Sequence, residues 1–74
     1  MEIFMHVQVV YRQGLVKAFV IEEGNMLMEE FMRLVRAEGK VKTIRFLPDV
    51  DRAAAELLVR SGNATRLGGR HEKV

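Results

Sequence analysis

The chain opens on an alternation: Ile3, Met5, Val7, Val9 and Tyr11 are apolar, while Phe4, His6, Gln8, Val10 and Arg12 are mixed. Successive side chains on a strand point to opposite faces, so this period of two predicts a half-buried β-strand. Residues 15–21 (LVKAFVI) are rich in β-branched and aromatic side chains and follow Gly14, which predicts a second strand and a hairpin. A type I turn at Arg12-Gln13 followed by Gly14 in a left-handed conformation places the special backbone on the glycine alone and pairs Tyr11 with Leu15. In that register Leu15, Phe19 and Ile21 join the apolar residues of the first strand on one face, interrupted by Lys17. The opposite face carries Phe4, His6, Gln8, Val10, Val16, Ala18 and Val20, more apolar than a sheet face left in water usually is.

Beyond Glu22-Glu23-Gly24, Asn25 is placed to cap a helix over 26–38, with Gly39 to end it. Leu27, Met28, Phe31, Met32, Leu34 and Val35 fall within an arc of about 160° on that helix. Lys40 to Leu47 alternates again and predicts a third strand, reached by a helical crossover and ended by Pro48. Asp49 then caps a second helix running to Ser61, with Val50, Ala53, Ala54, Leu57 and Leu58 as its buried stripe and Gly62 as its stop. The expected architecture is a small two-layer α+β sandwich of order ββαβα, a three-stranded sheet with both helices on one face. Residues 1–62 form its single domain, and residues 63–74 form a flexible basic tail. The hairpin, helix and strand order, together with Leu67-Gly68-Gly69, resembles ubiquitin-like proteins. That fold inserts a final strand between its first and third, where the segment after Asp49 reads as a helix, so the chain is not assigned to it.

A chain of 74 residues without cysteine has neither disulfide nor thiolate metal site to staple it, and relies on packing or oligomerisation. The lack of cysteine fits a reducing compartment, and neither a secretory signal nor a membrane-spanning apolar run is recognisable, so a cytoplasmic location is expected. His6 and His71 lie far apart with no metal-ligand spacing, and Ser61 has no nucleophile context. The acid pairs Glu22-Glu23, Glu29-Glu30 and Asp49-Val50-Asp51 lie at or before helix starts, where negative charge is favoured anyway. No catalytic residue, metal or cofactor is therefore inferred.

Two binding surfaces follow. Phe4, Val10, Val16, Ala18 and Val20 make up an uncovered apolar sheet face, which predicts a regulatory or adaptor module acting through protein contact as a homodimer, by sheet face or sheet edge. Charge offers the alternative. Residues 1–39 carry four Lys or Arg against six Asp or Glu, whereas residues 40–74 carry eight against four. Lys40, Lys42 and Arg45 on the third strand, with Arg66, Arg70 and Lys73 in the tail, form the phosphate-binding set of a DNA- or RNA-binding protein.

Overall fold

A computed structural model of the chain describes residues 3–24 and 26–67. Its elements are β1 (Phe4–Tyr11), β2 (Val16–Glu22), α1 (Met28–Ala37), β3 (Val41–Val50), α2 (Arg52–Arg60) and β4 (Thr65–Leu67). They form an α+β fold around one four-stranded mixed sheet of order β3-β1-β2-β4.

The hairpin is built as the turn chemistry requires. Gly14 has φ of 97°, its N–H donates to the Tyr11 carbonyl at 2.9 Å, and the Tyr11 N–H donates to Leu15 at 2.8 Å. Val7 then faces Phe19 and Met5 faces Ile21 across the ladder, so the odd positions of both strands share one face. Helix α1 lies on that face. Val7, Val9, Tyr11, Ile21, Phe31 and Val35 form its buried core, with Phe19 edge-on to Phe31 at 5.8 Å between ring centroids. The helix begins at Met28, two residues later than expected, with Leu27 at the N-cap position making no side-chain cap, and the proposed cap Asn25 lies outside the described residues. Only the centre of the expected arc is buried: Leu27, Met28 and Leu34 are exposed on its flanks.

Four expectations are corrected. First, the sheet has four strands, because Thr65–Leu67 pairs in parallel with β2, Val20 opposite Arg66. Residues 63–67 thus belong to the fold, with Ala64 buried, and the rest of the proposed tail lies outside the described residues. Second, the helices lie on opposite faces. Phe4, Val20, Ala55 and Ala64 form a separate core beneath α2, on the even-numbered face of the hairpin.

Third, Pro48 does not end β3, which runs on to Val50. β3 is an edge strand, and between His6↔Leu47 and Phe4↔Val50 it carries a bulge that holds Pro48 and Asp49 opposite Met5. A residue without an N–H is tolerated at such a site, and Asp49 absorbs the irregularity with φ of 62°. The cap of α2 is accordingly Asp51, whose carboxylate accepts from the Ala54 N–H at 2.9 Å. Fourth, the buried side of α2 is Ala55 with Leu58, while Leu57 is 62% exposed. β4 pairs with β2 and not between β1 and β3, so the sheet order also differs from the ubiquitin-like arrangement.

Candidate functional site

The apolar face expected to be open is covered at its centre. Phe4 and Val20 are 2% and 1% exposed beneath α2, and Ala18 packs half-buried against the same core. Val10 is half-buried and Val16 is exposed at the hairpin end. Length explains this division: nine residues of α2 extend about 13 Å, roughly half the run of the eight-residue β1 beneath it.

The proposed cations are also divided. Lys40, Lys42 and Arg45 are all exposed on or beside β3, at one edge of the sheet. Arg66 sits on β4 at the other edge, 3.6 Å from the Glu22 carboxylate and with its guanidinium 5.5 Å from the centre of the Phe4 ring. Three inter-strand spacings, roughly 14 Å, separate β4 from β3. Arg70 and Lys73 lie outside the described residues.

In place of Arg66 the fold brings two other arginines to the β3 edge. Because β1 and β3 are antiparallel, the end of β1 and the start of β3 meet at one end of the sheet, and α1 finishes there as it leads into β3. The Arg12 N–H donates to the Lys40 carbonyl at 2.8 Å, fixing the hairpin turn against the α1–β3 turn. Gly39 suits that second turn because its φ of 151° is one that residues with a Cβ rarely adopt. Arg12, Arg36 and Lys40 consequently line one open cleft with Met32, Gly39 and Val41, and among the described residues no carboxylate lines it. None of Arg12, Arg36, Lys40, Lys42 and Arg45 forms an ion pair among the described residues. The signal for Arg12 and Arg36 was available in the sequence, since one follows the first strand and the other closes the helix before the third. Using it required the antiparallel pairing of those strands.

The remaining polar groups are placed as follows. His6 sits on the α2 side of β1 between Val20 and Leu47, and its Nε2 is buried without a hydrogen-bond partner among the described residues. His71 lies outside them. Ser61 caps the C-terminus of α2 and donates its hydroxyl to the Leu58 carbonyl at 3.2 Å. Glu29 and Glu30 occupy the first turn of α1, and Asp51 is committed to its cap. Among the described residues no three His, Asp or Glu stand together as metal ligands, and no helix is long and apolar enough to cross a membrane. Comparison with known proteins brings no match: no protein family, no curated protein and no solved structure is similar enough to this chain to be informative.

Proposed function

We propose that this chain is a small non-enzymatic nucleic-acid-binding module of the cytoplasm, and that it contacts the phosphate backbone through the β3 edge. The observation that carries this reading is the convergence of Arg12, Arg36 and Lys40 on a cleft that no carboxylate lines among the described residues, continued along the edge by Lys42 and Arg45. Unneutralised cations held this closely repel one another, and phosphates relieve that repulsion while releasing their own condensed counterions. Phe46 is 40% exposed and the other described aromatic rings are more deeply buried, so base stacking contributes little and binding is tolerant of sequence.

The test is a salt-dependent titration with duplex DNA and with RNA. Affinity falls steeply as salt rises. Replacing Arg12, Arg36 and Lys40 by alanine weakens binding and flattens the logarithmic salt slope on duplex DNA by about 0.9 for each phosphate that is no longer neutralised. Absence of binding to either polymer at low salt ends this proposal.

A second reading, a homodimeric regulatory or adaptor module, is favoured by the ten-residue β3, whose outer edge pairs with no strand of the sheet. Two copies joined there would continue one sheet across a two-fold axis. Lys42, Arg45 and Pro48 oppose this, being the residue types that guard edges against such pairing. Light scattering separates the readings: a monomer across the micromolar range ends the dimer proposal and leaves phosphate binding intact.

A further inference from the structure

A second cleft lies on the other side of the sheet, between α2 and the paired strands β2 and β4. We propose that it binds a small amphipathic anion, a short apolar body with a single carboxylate or phosphate head. Its apolar walls are Phe4, Val20, Ala55 and Val59, and its charged rim holds Arg60 and Arg66. The first three walls are buried core residues, whereas Val59 is 37% exposed at the mouth. The position follows from packing: α2 covers Phe4 and Val20 on this face, and the cleft opens between the side of α2 that carries Ala55 and Val59 and the β4 residue Arg66.

Charge selects the class of ligand. Arg66 is already anchored by Glu22 and the Phe4 ring, which fixes its guanidinium beside the apolar floor. Glu56 also borders the cleft, but Arg52 holds its carboxylate at 3.3 Å. Arg60, in the last turn of α2, has no ion pair among the described residues and supplies the surplus positive charge. One anionic head balances it, and a guanidinium fork suits carboxylate and phosphate alike. Size selects the body. The cleft holds about 230 Å³, below the roughly 300–1,000 Å³ of pockets for drug-sized molecules. An apolar chain or a single ring matches that volume.

Amide NMR titrations with hexanoate, hexyl phosphate and hexanol test this on the intact chain. Both anions are expected to give saturable shifts around Phe4, Ala55 and Val59, with hexanol binding at least about tenfold more weakly. Whichever anion binds more tightly identifies the head group. Arg60→Gln reduces anion affinity by about tenfold and leaves hexanol unchanged. Val59→Trp, at an exposed position, fills the mouth and removes binding of all three while the rest of the amide spectrum is retained. Equal affinity for hexanol and the anions overturns the proposal, as do anion shifts confined to the Arg12–Lys40 end or the absence of saturable shifts at millimolar ligand.

Discussion

Tyr11 ends β1 beneath the C-terminal half of α1, where its buried hydroxyl donates to the Val35 carbonyl at 2.7 Å. The Glu38 N–H reaches the same carbonyl, so Tyr11→Phe leaves it one partner and costs about 1 kcal/mol. Burial, and then the negative charge of Glu38, raise the Tyr11 pKa above its ordinary 10.0, with Lys17 opposing. The folded state therefore holds this proton more tightly than the unfolded chain. The resulting stability is complete below the unfolded value and is lost as pH climbs through the folded one. The stability difference between wild type and Tyr11→Phe is expected to shrink above pH 10.0. Urea denaturation along a pH series measures it, and tyrosinate absorbance reports Tyr11 alone because the chain has one Tyr and no Trp. Core residues separate as clearly. Phe31 is 1% exposed, and its replacement by alanine costs about 3–5 kcal/mol if the site cannot collapse. Leu57, which the apolar stripe placed inside, is 62% exposed, and its replacement changes stability by no more than about 0.5 kcal/mol.

At the scale of elements, the shortest strand closes both cores. β4 has three residues, too few to show a period, and the polar pair Thr65-Arg66 disguises it further. Leu67 packs against the α1 core, while Ala64, just ahead of the strand, is buried in the α2 core. Ending the chain at Asn63 removes both side chains from their cores and frees the edge of β2. The expected loss is on the order of 2 kcal/mol, from the partial burial of Leu67 together with the burial of Ala64, and chemical denaturation checks it. The hairpin and α1 were legible because each satisfies a local rule: Gly14 serves its turn, and Phe31 and Val35 lie one helical turn apart. Pro48 misled because its effect depends on whether its strand is central or at the edge. α2 misled for a related reason. With alanine at 53, 54 and 55, its apolar surface is nearly uniform, and only the sheet above Ala55 selects the inward side.

For the whole molecule, the path of the chain decides which faces are free. β2, β3 and β4 run parallel to one another, with β1 antiparallel among them. The chain crosses from β2 to β3 in one direction along the sheet and from β3 to β4 in the other. Such connections are right-handed almost without exception, and reversing the direction moves the helix to the opposite face. Hence α2 lies where an open interface was expected, and substitutions by aspartate separate the two arrangements. Val20→Asp inserts a carboxylate beneath α2 and is expected to unfold the domain or cost more than about 4 kcal/mol, whereas Val16→Asp, at an exposed site, is nearly neutral. Thermal unfolding of the two variants decides the matter, and similar behaviour would mean that α2 does not cover this face. The hairpin and its register, the odd-numbered core face of β1 and β2, the existence of both helices and the cations of β3 were legible in the sequence, because periodicity, turn chemistry and charge act over a few residues. Only the tertiary structure decided the fourth strand, the face beneath α2, the meeting of Arg12 and Arg36 with Lys40, and the separation of Arg66 from them. These depend on which strands are neighbours, and strand order is set by the packing of the whole chain.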